Sequence, residues 1–87
     1  MQIDITAEDI ALGIPGDGAY CPAALALTRQ TGLPWRVGPE FHWIWNLVDT
    51  GRTYYANSAN LKEFVRDTDY GLPIKPLTFT TPWKPKV

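Results

Sequence analysis

The sequence predicts an α+β fold, a small single domain in which a central antiparallel hairpin packs against two or three helices. Three observations lead there. Residues 41–48 (FHWIWNLV) and 52–56 (RTYYA) are aromatic and β-branched runs joined by Asp49-Thr50-Gly51, a hairpin pattern with glycine where the loop needs it. Leu61, Phe64, Val65 and Thr68 recur at helical spacing. Pro22 stands immediately before AALAL and Gly32 shortly after it, a helix start and stop. The 87 residues make one domain, 1–87, with about 82–87 read as a mobile basic tail.

Residues 2–6 (QIDIT) alternate polar and apolar and read as a short strand. Thr6 with Asp9 three positions later resembles a capping box, so a first helix starts there and ends at Gly13 and Pro15. Ile10 and Ile14 supply its buried stripe. A second helix begins at Pro22 with Cys21 at the N-cap, and residues 33–38 read as a loop entering an edge strand. Asn57 or Ser58 caps the third helix, which Gly71 and Pro73 end. Leu77, Phe79 and Trp83 alternate after Pro76, giving a last strand at a sheet edge.

Composition narrows the function classes. Charged residues are 20% of the chain and hydrophobic ones 45%, which suits a folded domain and not a disordered one. A net charge of −1 and a pI near 5.6 argue against nucleic-acid binding. The charges are nevertheless uneven, acidic without Lys or Arg over residues 1–28 and basic without acids over 70–87. One Cys and one His exclude an internal disulfide and a zinc-finger pattern, so no cofactor or metal is expected. No apolar run reaches the ~20 residues a membrane helix needs, and no signal sequence opens the chain, so a soluble cytoplasmic protein is expected. Four Trp, four Tyr and three Phe are a large aromatic share for this size, suited to a core and to binding surfaces.

Residues 13–22 (GIPGDGAYCP) invite a catalytic reading. Gly13 and Gly18 have P-loop spacing, but Ala19 and Tyr20 stand where the phosphate-binding Lys and Ser/Thr belong, and Asp17 would repel phosphate. Cys21 at a helix N-terminus is a possible reactive thiol with His42 as its base, the alternative reading of the chain as a small thiol-dependent enzyme. The glycines and prolines more simply end one helix, turn the chain and start the next, and the chain reads as a non-enzyme.

Pairing Val48 with Arg52 across the hairpin sorts its side chains. One face carries Phe41, Trp43, Trp45, Leu47, Thr53 and Tyr55 and is read as core. The other carries His42, Ile44, Asn46, Arg52 and Tyr54, whose Tyr and Arg suit an interface, and these five residues are the candidate protein-binding site. On that reading Ile44→Asp leaves the protein folded. Stacking of single-stranded nucleic acid on the same hairpin is a third reading.

Residues 6–27 (TAEDIALGIPGDGAYCPAALAL) resemble the opening of a family of small uncharacterised proteins of phages and phage-bearing bacteria, with T-x-E-x-I-x-x-G, a variable loop, then C-P-x-A-L-A. Residues 67–79 (DTDYGLPIKPLTF) resemble the same family's closing helix-to-strand segment. The resemblance carries over no catalytic residues. It implies an accessory protein of a mobile element that binds a host protein in the host cytoplasm, by association an anti-CRISPR-type inhibitor occluding a CRISPR–Cas component, with a homodimer also open.

Overall fold

In the computed structural model, which describes residues 1–44 and 53–85, the chain runs β1 (Gln2–Ile5), α1 (Ala7–Leu12), α2 (Pro22–Thr31), β2 (Trp35–Val37), β3 (Phe41–Ile44), β4 (Tyr54–Ala56), α3 (Ala59–Asp69) and β5 (Leu77–Thr80). This is an α+β domain with two antiparallel sheets among the described residues, β1–β5 and β2–β3–β4. The first pairs Ile3 with Phe79 and so brings the two ends of the chain together.

The local signals act where their chemistry requires. Thr6 and Asp9 form the capping box of α1, each side chain receiving the other's backbone N–H. Pro22 opens α2, and Gly32 ends it in the left-handed conformation at φ 75°. Leu61, Phe64, Val65 and Thr68 are the buried face of α3. Gly13 has a steric reason to be glycine, because a Cβ there would lie 2.5 Å from the Pro22 ring. The end of α1 and the start of α2 thus cross in contact.

Ile3, Ile5 and Phe79 from the two-stranded sheet meet Ala23, Ala24, Ala26 and Leu27 of α2, Leu61 and Val65 of α3, and Trp35 and Val37 of β2. Small alanines let the strands approach α2 closely, and burial of the large apolar side chains contributes about 1.5–3 kcal/mol each. The outer edge of β1 is closed by α2: Gln30 Nε2 donates to the Asp4 carbonyl at 2.8 Å, and Gln30 Oε1 accepts the Asp4 N–H at 3.1 Å. A side-chain amide here replaces a neighbouring strand.

The structure corrects the expected hairpin register. Ala56 lies opposite Phe41 rather than Ile44, a slip of three residues. An odd slip exchanges the partners on each face, so Tyr55 joins His42 and Tyr54 joins Trp43. His42 and Ile44 turn inward, while Phe41 and Trp43, expected in the core, turn outward. Two smaller expectations also change. Ile14 is exposed and adds nothing to the stripe begun by Ile10, and Trp83 packs on the core instead of opening a free tail. The expected Asp49-Thr50-Gly51 loop lies outside the described residues.

Candidate functional site

The candidate protein-binding residues do not share a face. His42 is fully buried and Ile44 packs beside it against the core, whereas Tyr54 is exposed on the opposite side of the sheet. Asn46 and Arg52 lie outside the described residues. The reason His42 can be core is that the fold satisfies both of its nitrogens. Nδ1 lies 2.8 Å from Asn57 Oδ1, and Nε2 lies 2.7 Å from Thr81 Oγ1.

The roles of these atoms follow from the neighbours. Asn57 Nδ2 donates to the Gly38 carbonyl at 2.9 Å, which leaves Oδ1 to face the imidazole as an acceptor. Nδ1 therefore carries the proton, Nε2 accepts, and the Thr81 hydroxyl donates to it. Thr81 Oγ1 in turn accepts the Trp83 N–H at 3.2 Å. One directed chain of hydrogen bonds thus runs from Trp83 through Thr81, His42 and Asn57 to Gly38. The rings of Trp35, Tyr55 and Phe79 surround the imidazole at centroid distances of 5.4, 5.7 and 6.1 Å. Burial pushes the imidazole pKa below its ordinary value, and the hydrogen bond that Nδ1–H donates to Asn57 opposes this only in part.

Cys21 occupies the N-cap position of α2, as expected, but makes no side-chain capping bond. It is buried, and burial pushes its thiol pKa up despite the N–H groups of Ala24 and Ala23. The structure does not pair it with His42, whose nitrogens belong to Asn57 and Thr81. The preceding loop is closed by its own bonds. The Ile14 N–H donates to the Tyr20 carbonyl at 2.8 Å, and Asp17 Oδ1 accepts from the Ala19 and Tyr20 N–H groups. Asp17 is thereby committed to holding a turn.

The outer face of the three-stranded sheet carries a row of side chains across all three strands. Trp35 and Val37 point inward, so Arg36 between them points outward, opposite Trp43, which is itself opposite Tyr54. The Trp43 and Tyr54 rings are 5.2 Å apart at 43°, and Phe41 meets Tyr54 edge-on at 6.3 Å. Phe41 and Tyr54 are 49% and 51% exposed, large values for aromatic side chains in regular strands. The Trp43 ring also lies over Gly38, where an added Cβ would touch it at 3.5 Å. At one end this face runs into a cleft of about 350 Å³ lined by Tyr20, Leu25, Thr28, Pro34, Trp35 and Arg36.

No protein-family model, no curated protein and no solved structure matches this chain. Among the described residues no group of three or more His, Cys, Asp or Glu side chains could hold a metal ion. No helix among them is long and apolar enough to cross a membrane.

By sequence Phe41 and Trp43 are assigned to the core face, and Arg36 enters only as a possible contributor, with Arg52, to single-stranded nucleic-acid binding. Face assignment depends on the register of β3 against β4. Alternation alone does not say which of two aromatic faces is the inner one.

Proposed function

We propose that this chain is a non-enzymatic binding module that docks a protein partner on the outer face of β2–β3–β4. The observation that carries this reading is the pair of half-exposed rings of Phe41 and Tyr54 on this face, packed together and against the half-buried Trp43, with the half-buried Arg36 in the same row. Exposed aromatic rings held by regular strands give a large contact area at little cost in side-chain entropy. Arg is the charged residue most often found beside them at protein interfaces.

The resemblance to small phage-associated proteins directs the finer proposal. The partner is a bacterial host protein, with a component of a CRISPR–Cas complex as the specific candidate, and docking would block its site sterically in the host cytoplasm. The reading as a thiol enzyme is weakened by the burial of Cys21 and by the engagement of His42 elsewhere.

The test is capture by the tagged chain from host lysate, compared with a Phe41→Ser/Tyr54→Ala variant whose near-ultraviolet circular dichroism matches the parent. The expected result is a stoichiometric protein partner held by the parent and lost by the variant. Equal capture by both would remove the outer face from the interface. Binding of a single-stranded oligonucleotide that weakens steeply with salt would replace the protein partner by nucleic acid.

A further inference from the structure

We infer that His42 is an acid-released latch that holds the Thr81–Trp83 segment against the three-stranded sheet. The inference goes beyond the docking role and does not depend on it. The latch is built from groups remote in sequence: the ring belongs to β3, its Nδ1 partner Asn57 to the turn before α3, and its Nε2 partner Thr81 to the residue after β5. Thr81 also exchanges backbone hydrogen bonds with Met1 at 2.9 and 3.0 Å, and Trp83 meets Trp35 edge-on at 5.9 Å. The segment therefore closes the core through one hydroxyl and one ring.

Protonation reverses one link of this chain. Nε2 then carries a hydrogen and points it at a hydroxyl that was itself donating. Thr81 Oγ1 can accept from Nε2 and from the Trp83 N–H, but its own hydrogen then has to leave the imidazole. Thr81 is fully buried, so no water receives that hydrogen without the segment moving. Among the described residues the new cation also has no carboxylate to face. Trp35, Phe79, Asn57 and Thr81 are uncharged, and the titratable groups beside the site are the Tyr55 phenol and the Met1 ammonium, which donates to the Thr81 carbonyl. The buried faces of α2 and α3 carry no ionisable side chain, and Asp9 of α1 is committed to Arg29. Glu40, whose carbonyl receives the Asn57 N–H, turns its carboxylate to solvent beside Lys62. Release of Thr81 hydrates the ring and removes the conflict.

Because His42 is the single histidine, one imidazole signal reports the latch in the intact chain by NMR. The expected nitrogen shifts at neutral pH are those of the Nδ1–H tautomer, with a titration midpoint below 6.5. Amide exchange at Trp83, corrected for its intrinsic pH dependence, should then accelerate about tenfold per pH unit between ~6.5 and that midpoint. Leu27 and Leu61 in α2 and α3 should stay protected over the same range. A midpoint at 6.5 or above, or protection at Trp83 that does not change as the ring titrates, overturns the latch. Simultaneous loss at Trp83, Leu27 and Leu61 also overturns it, since that is global unfolding. His42→Gln should abolish the pH dependence at Trp83, and its persistence would place the switch elsewhere. If that variant does not fold, Thr81→Val is used: it should bring Trp83 exchange at neutral pH to the parent's acid level, and unchanged protection counts against the latch.

Discussion

His42 Nε2 lies 2.7 Å from Thr81 Oγ1 across 39 positions of chain, and the direction of that hydrogen bond is dictated at Asn57 on the other side of the ring. Asn57 gives its amide hydrogen to Gly38, so it can offer His42 only an oxygen. The single histidine is thereby a structural residue that joins the Gly38 turn, the start of α3 and the end of β5. A buried polar group of this kind stabilises only while every partner is present.

Removing one partner should therefore cost more than the bond itself. Thr81→Val strips the donor from Nε2 and the acceptor from the Trp83 N–H in a buried site, and about 1–3 kcal/mol of stability should be lost. Asn57→Leu orphans both the Nδ1–H and the Gly38 carbonyl and should cost more than Thr81→Val. Urea denaturation at neutral pH, comparing midpoints at constant slope, measures both. Midpoints equal to the parent's would show that water replaces the missing partners.

Acid should weaken the fold in two separate windows. The folded imidazole has a pKa below its ordinary 6.5, so the unfolded chain takes up that proton first. Its contribution is complete above ~6.5 and is lost as pH falls from there through the folded value. For Asp9, burial on its own would raise the pKa. The Arg29 hydrogen bond, the Thr6 backbone and side-chain bonds and the Arg29 charge together outweigh it, and the carboxyl ends below its ordinary 3.8. Its contribution is present above 3.8 and lost as pH falls through the lower folded value. Asp9→Asn should flatten the second window in urea midpoints plotted against pH and leave the first in place.

Gly13 and Gly16 should respond differently to alanine. At Gly13 the new Cβ meets the Pro22 ring at 2.5 Å, and the two helices have to separate to admit it. A loss of about 1–3 kcal/mol is expected from such overpacking. At Gly16 nothing lies within 4 Å, and the cost comes from its φ of 78° alone. That left-handed conformation costs a non-glycine residue roughly 1–2 kcal/mol. Crowding at Gly13 should also alter the near-ultraviolet spectrum, which Gly16→Ala should leave alone.

Cys21 should react as a buried thiol. Burial holds it protonated, so a disulfide reagent at neutral pH should modify it far more slowly than in urea. Equal rates in both conditions would show that the start of α2 opens freely.

Elements carried by a local signal were legible in the sequence. Thr6 with Asp9, Pro22 with Gly32, and the Leu61–Thr68 stripe act within one or two helical turns, and each lies where its chemistry requires. The hairpin face was not legible, because one odd shift in the pairing of 41–44 with 54–56 interchanges core and surface. The partners that make His42 a core residue, Asn57 and Thr81, come from distant segments, and no spacing in the sequence points to them. Trp83 was misread for the same reason: next to lysines and prolines it resembles a tail, and only its contact with Trp35 makes it core.

The corrected register makes opposite predictions for two neighbouring residues. Ile44 faces inward opposite Trp35 and packs, partly buried, against the core. Ile44→Asp should therefore lose a large part of the ~1.5–3 kcal/mol that full burial of an isoleucine side chain gains, and it adds a carboxylate against apolar neighbours. Tyr54 is half exposed on the outer face, so Tyr54→Ala should cost less, mainly its ring contacts with Trp43 and Phe41. Such aromatic pairs contribute about 0.5–1.5 kcal/mol each. Thermal melts of the two variants side by side would settle the orientation of the sheet. A folded Ile44→Asp together with an unfolded Tyr54→Ala would reverse the faces and move the docking surface to the His42 side.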